Sequence, residues 1–75
     1  MISCLEILNK IKWDKNLNKE DYSIYYLDNI AKKLISISFN EIKEISKNFI
    51  ILEDKEIPIH RIKEIRKQGK LIWKR

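Results

Sequence analysis

The residues of this chain best equipped for chemistry gather in one stretch, Ile57-Pro58-Ile59-His60-Arg61-Ile62-Lys63-Glu64-Ile65-Arg66-Lys67-Gln68-Gly69-Lys70-Leu71-Ile72-Trp73-Lys74-Arg75. It holds the single His, Pro and Gly, one of the two Trp, and every arginine, at 61, 66 and 75. Elsewhere each positive side chain is Lys. Arginine differs from lysine in presenting a planar fork of donors that grips a phosphate or carboxylate through two hydrogen bonds at once. Its restriction to this stretch points to recognition of an oxyanion. The competing reading is that Arg61, Arg66 and Arg75 are solvated or serve internal ion pairs. His60-Arg61 suits an oxyanion in particular, since the imidazole can donate a hydrogen bond beside the guanidinium fork. The alternative has His60 satisfied by nearby carbonyls and Arg61 paired with Asp28 or Glu64.

Other chemistries lack their parts. Metal-free histidine catalysis on RNA needs one group to take a proton and one to give it, and there is one histidine. Dinucleotide and P-loop fingerprints need several glycines, whereas Gly69 stands alone. A Ser-His-Asp hydrolase would need a nucleophile elbow, which is missing. Glu53-Asp54 reads as a charged turn and not as a metal site. Cys4 has no second thiol or histidine near it in sequence, so it reads as a small core residue. Binding is favoured over catalysis, with no catalytic residue assigned and no metal or cofactor expected.

Charge along the chain is open to two readings, a polyanionic partner or a solvated surface that keeps a small protein soluble. Residues 1–42 are neutral, with Lys and acids in equal number, so the whole excess of +5 lies in residues 43–75. A localised basic field suits a polyanion, most commonly nucleic acid. The candidate RNA- or phosphate-binding residues are His60, Arg61, Arg66, Lys67, Lys70, Trp73 and Arg75. The runner-up is a protein-interaction subunit of an RNA-processing complex, docking an acidic partner on the same basic face. A chain of 75 residues supports one domain, 1–75. One Cys, no signal-peptide pattern and no membrane-length apolar run lead us to expect a reduced, cytoplasmic setting without membrane contact.

These residues need elements to position them. Ser3-Cys4-Leu5-Glu6 matches a capping box and opens a helix from about Ser3 to Lys12, with Cys4, Leu8 and Ile11 inward and Trp13 closing the edge of that contact. Asp14 to Asp21 is a loop. Tyr22 to Asp28 is a central strand, with Tyr22, Ile24 and Tyr26 on one face and Tyr25 and Leu27 on the other. These tyrosines either stack a base or pack half-buried, and packing is favoured. Leu34 to Phe39 alternates as a strand buried on one face by Ile35, Ile37 and Phe39. A turn near Asn40, a short strand at Lys43 to Ile45, a turn at Lys47-Asn48, a strand at Phe49 to Leu52 and a charged turn at Glu53 to Glu56 follow. The spacing of Ile59, Ile62 and Ile65 gives one tight helical turn entering a strand that runs to Lys67. Gln68-Gly69 is a hairpin turn, and Lys70 to Arg75 returns with Leu71 and Trp73 opposite Ile72. The expected fold is α+β: one N-terminal helix packed on a strongly bent antiparallel sheet of about four to six strands, with a short helical turn at the Pro-Ile-His-Arg motif.

Ile57-Pro58-Ile59-His60-Arg61-Ile62, Ile65-Arg66, Gly69 and Ile72-Trp73-Lys74-Arg75 resemble the signature of a family of small, mostly archaeal proteins, the RNA cyclic group end recognition domain. The likeness extends upstream through Lys12-Trp13, Tyr26-Leu27-Asp28 and Glu41-Ile42, covering essentially the whole chain. The chain departs from the pattern at Ile59, where an aromatic often precedes the His-Arg pair, and at Asn29-Ile30, where Arg-Gly often follows the strand aspartate. The resemblance implies a module that recognises RNA ends bearing a 2′,3′-cyclic phosphate, with His60, Arg61, Trp73 and Arg75 as the positions to examine.

Overall fold

A computed structural model of the chain describes residues 3–75. Ser3 caps the helix α1, Cys4–Trp13, its Oγ accepting from the Glu6 amide at 3.2 Å. The helix ends where Asp14 leaves helical geometry and its Oδ1 accepts from the Asn16 amide at 2.9 Å. Cys4, Leu8 and Ile11 are buried, as the four-then-three spacing requires. Trp13 corrects the sequence reading, because it is 73% exposed and does not close the edge. At roughly 100° per residue it lies roughly 200° around the helix from Ile11, on the solvent side. There its ring lies beneath Lys12 Nζ, 5.6 Å from the centroid.

The architecture is α+β, with α1 and seven antiparallel strands divided between two sheets. The first sheet has the order β2-β1-β6-β7, from β1 (Tyr22–Asp28), β2 (Lys33–Ser38), β6 (Ile62–Lys67) and β7 (Lys70–Lys74). The second has the order β3-β4-β5, from β3 (Glu44–Ile45), β4 (Phe49–Ile51) and β5 (Glu56–Pro58). Short 3-10 turns at Lys19–Asp21, Phe39–Glu41 and Ile59–Arg61 lead into or out of strands. Phe39 is buried as expected, but it begins the second of these turns and does not end β2. The core joins the α1 stripe to Tyr22, Ile24 and Tyr26 of β1, Ile50 and Ile57 of the second sheet, and Ile62 and Ile65 of β6.

Two irregularities in the first sheet decide which way side chains face. Tyr25 pairs with Glu64 but Tyr26 pairs with Ile62, so Lys63 is an extra residue in β6. That bulge moves the alternation by one position and lets Ile62 and Ile65, three apart, both point into the core. The helical turn itself covers only Ile59–Arg61. In β7, Ile65 pairs with Trp73 and Arg66 with Leu71, leaving Ile72 extra. Leu71 and Trp73 therefore lie on opposite faces of the sheet, a correction to simple alternation. The hairpin turn forms as expected: Gln68 at φ 51° and Gly69 at φ 83° are both left-handed, the conformation of a two-residue type I′ loop.

Candidate nucleic-acid interface

Pro58 (φ −60°, ψ 136°) directs the chain out of β5 into the Ile59–Arg61 turn, which closes with the Ile62 amide donating to the Ile59 carbonyl. This turn is a ridge between the two sheets. It is tied to the second sheet by the Ile59 amide, which donates to the Asn48 carbonyl at 2.9 Å. Arg75 ties it to the first. Its Nε donates to the Ile62 carbonyl at 3.0 Å, its Nη2 to the Ile59 carbonyl at 3.1 Å, and its own amide to the Lys63 carbonyl at 2.9 Å. The guanidinium lies 5.3 Å from the centroid of the half-buried Trp73 ring.

His60 and Arg61, adjacent in sequence, line different clefts on either side of this ridge. His60 lines a cleft of about 550 Å³ together with Lys47, Asn48, Phe49 and Arg75. Its opposite wall is the amino end of α1, residues Ser3 to Leu5, whose free amides add positive backbone potential. Lys47, His60 and Arg75 supply its basic side chains, and no Asp or Glu among the described residues lines it. Cys4 also lines it; burial pushes its thiol up to about 11, partly offset by the Arg75 charge, so it stays protonated and is no nucleophile.

Arg61 lines a smaller cleft, about 190 Å³, with Tyr26, Asp28, Lys55, Glu56 and Pro58. Asp28 Oδ1 accepts from the Ile30 amide at 2.8 Å and the Ala31 amide at 3.1 Å, folding the β1–β2 connection. These two bonds, Ala31 first, hold its carboxyl below the usual carboxylate range, with Lys55 and Arg61 adding attraction. Lys55 Nζ donates to the Tyr26 hydroxyl at 3.1 Å, which raises the lysine's pKa. The two clefts thus differ in kind: one is lined by basic but no acidic side chains, the other by acidic and basic side chains together.

The remaining sequence-selected residues lie elsewhere. Arg66 donates from Nε (3.0 Å) and Nη2 (2.7 Å) to Glu64 Oε1 and stacks 4.8 Å from the Tyr25 ring centroid, so its fork is already occupied. Its pKa is raised, chiefly by that hydrogen bond. Lys67 and Lys70 form the pair beside the hairpin turn, with Lys67 Nζ 5.8 Å from the Tyr22 ring centroid. The structure thus brings His60 and Arg75 to one cleft with Trp73 beside Arg75, sets Arg61 in the other cleft, and leaves Arg66, Lys67 and Lys70 on the hairpin. Sequence reasoning missed Lys47, Asn48 and Phe49, which the pairing of Phe49 with Pro58 brings beside the ridge. It also missed Lys55, masked by the acids around it. Among the described residues, no group of three His, Cys, Asp or Glu is placed to hold a metal, and no helix is long and apolar enough to cross a membrane.

Comparison with known proteins adds the family. The UPF0248 protein of Metallosphaera sedula is 41% identical over 69 residues, covering 91% of this chain and 86% of that relative. The UPF0248 protein MJ1316 of Methanocaldococcus jannaschii is 41% identical over 75 residues, covering 93% and 90%. A UPF0248 protein of Thermococcus sibiricus is 34% identical over 79 residues, covering 93% and 82%. No solved structure matches the chain. The family model described as the MJ1316 RNA cyclic group end recognition domain matches residues 1–75, and the chain belongs to that family.

Proposed function

We propose that the protein is a non-catalytic RNA-binding module whose His60 cleft receives a phosphorylated RNA end, in keeping with the family's description as an RNA cyclic group end recognition domain. The observation that carries this reading is the make-up of the cleft. Lys47, His60 and Arg75 line a space large enough for a nucleotide, with no Asp or Glu among the described residues opposing them, and Phe49, 39% exposed, offers a flat ring for a base. Leu5, Pro58 and Ile59 give the same cleft an apolar floor. That floor suits a cyclic phosphate, which carries one charge and has given up both hydroxyl donors to the ring. Arg75 contributes charge while its Nε and Nη2 remain on the ridge carbonyls.

The test is a binding comparison by fluorescence anisotropy among short RNAs of one sequence that end in a 2′,3′-cyclic phosphate, a linear 3′-phosphate or a hydroxyl. The cyclic end is expected to bind tightest, and His60→Ala or Lys47→Gln to remove that preference. Equal affinity for all three ends would leave only charge-driven binding to the strand and overturn the assignment.

A further inference from the structure

The proposed function gives no role to the charge-balanced cleft on the Arg61 side, yet its polar groups are incompletely used. Both backbone donors to Asp28 act on Oδ1, leaving Oδ2 without a donor among the described residues. Lys55 donates one hydrogen bond, to the Tyr26 hydroxyl. The Arg61 side chain makes no hydrogen bond among the described residues, and the ion pair found among them is Arg66 with Glu64. Asp28 feels both Lys55 and Arg61, but neither is in ion-pair contact with it. Opposite charges therefore face a shared space of about 190 Å³ without closing on one another.

A ligand that completes this arrangement must bring an anion for the two cations and, a few ångströms away, a hydroxyl donor for the carboxylate. A ribonucleotide within a strand has both, because its 2′-hydroxyl neighbours the phosphodiester on its 3′-oxygen, and a deoxynucleotide has the phosphodiester alone. In a terminal nucleotide closed as a 2′,3′-cyclic phosphate the 2′-oxygen is in the ring and has no proton to give. The hydroxyl read here must belong to the preceding residue. Pro58 lines both clefts, so two successive nucleotides can straddle the ridge.

We propose that the Arg61 cleft is a ribose-phosphate subsite for the nucleotide preceding the RNA end: Arg61 and Lys55 hold the phosphodiester and Asp28 Oδ2 accepts the 2′-hydroxyl. The subsite makes the protein specific for RNA over DNA and rests on the proposed function for the placement of the end nucleotide. Asp28 remains an ionised acceptor at neutral pH because its two backbone donors and two nearby cations all favour the carboxylate. The Tyr26 hydroxyl, by accepting from Lys55, orients the ammonium toward the cleft.

The experiment compares short RNAs ending in cyclic phosphate that carry a single 2′-deoxy substitution, either at the residue before the end or further inside. With the unaltered protein, deoxy substitution before the end weakens binding on the order of tenfold, the worth of one charge-assisted hydrogen bond, and the inner substitution has no effect. Asp28→Asn keeps an acceptor for the turn but presents an amide at the other position, so the tenfold difference should vanish while preference for the cyclic end persists. Equal binding of the ribo and deoxy strands by the unaltered protein overturns the subsite, as does an undiminished difference in a folded Asp28→Asn protein. Loss of end preference with the deoxy effect intact overturns the end assignment and supports the subsite.

Discussion

Arg75→Lys is the substitution that best tests how the ridge is built. Arg75 bridges two carbonyls that belong to the ends of the Ile59–Arg61 turn, one bond being partly buried (Nε to Ile62) and one exposed (Nη2 to Ile59). Lysine keeps the charge but carries its donors on one nitrogen, so it loses the planar fork that sets Nε and Nη2 on the two carbonyls and holds them less well. The exposed carbonyl regains water and contributes little to the loss. The partly buried bond contributes about 1 kcal/mol, and the weakened contact with the Trp73 ring adds a few tenths at most. A total on the order of 1 kcal/mol corresponds, for a domain of this size, to a fall of about 4–8 °C in Tm. Calorimetry reads the global change, and hydrogen exchange reads the local one at the Ile62 amide, whose bond to the Ile59 carbonyl closes the turn. Unchanged Tm together with unchanged exchange at Ile62 would refute the claim that Arg75 fastens the ridge.

Further outcomes follow from other parts of the molecule. Lys67→Gln and Lys70→Gln, on the hairpin and away from both clefts, should weaken all RNA ends alike and reduce the salt slope of binding by about one each, as a titration over ionic strength will show. Because the folded-state pKa of Asp28 is depressed, its contribution to stability is present above the ordinary carboxylate pKa of about 3.9 and is lost as pH falls through the lower folded value. Urea midpoints followed below about pH 4 should therefore decline less steeply for Asp28→Asn than for the parent. Trp13→Ala should change stability by less than about 0.5 kcal/mol, since the ring is largely in solvent, and a large loss by urea denaturation would place it in the core after all.

Much of this fold is written in the period of its apolar residues. The α1 stripe, the two-faced strand at Tyr22–Asp28 and the Gln68-Gly69 turn all follow from local rules, because each is decided by neighbours within a few positions. The bulges at Lys63 and Ile72 are not local in that sense. An extra residue in a strand imitates helical spacing, so Ile62 and Ile65 suit both readings until the partner strand is known. The separate second sheet was hidden because strands of two or three residues show no periodicity. At the candidate interface, enrichment in arginine located the ridge, but the turn sends His60 and Arg61 to opposite sides. Lys47 and Lys55 arrive from loops whose contacts depend on strand register. The Arg66–Glu64 pair was readable in principle, since residues two apart share one face of a strand.

The pairing of β1 with β6 joins residues roughly forty positions apart, so the chain must close a long loop before the centre of its larger sheet gains any stability. The ridge lies at the passage from β5 in one sheet to β6 in the other and acquires its shape only when both have formed. A peptide spanning residues 57–75 would carry every candidate picked out from the sequence, yet it would lack the walls supplied by α1, β1 and the Lys47 and Lys55 loops. Such a peptide should behave as a basic coil that binds polyanions according to salt and is indifferent to how the strand ends. On the proposed function, end recognition therefore requires both sheets to be assembled, and a partly unfolded chain would keep only its charge-driven attraction to RNA.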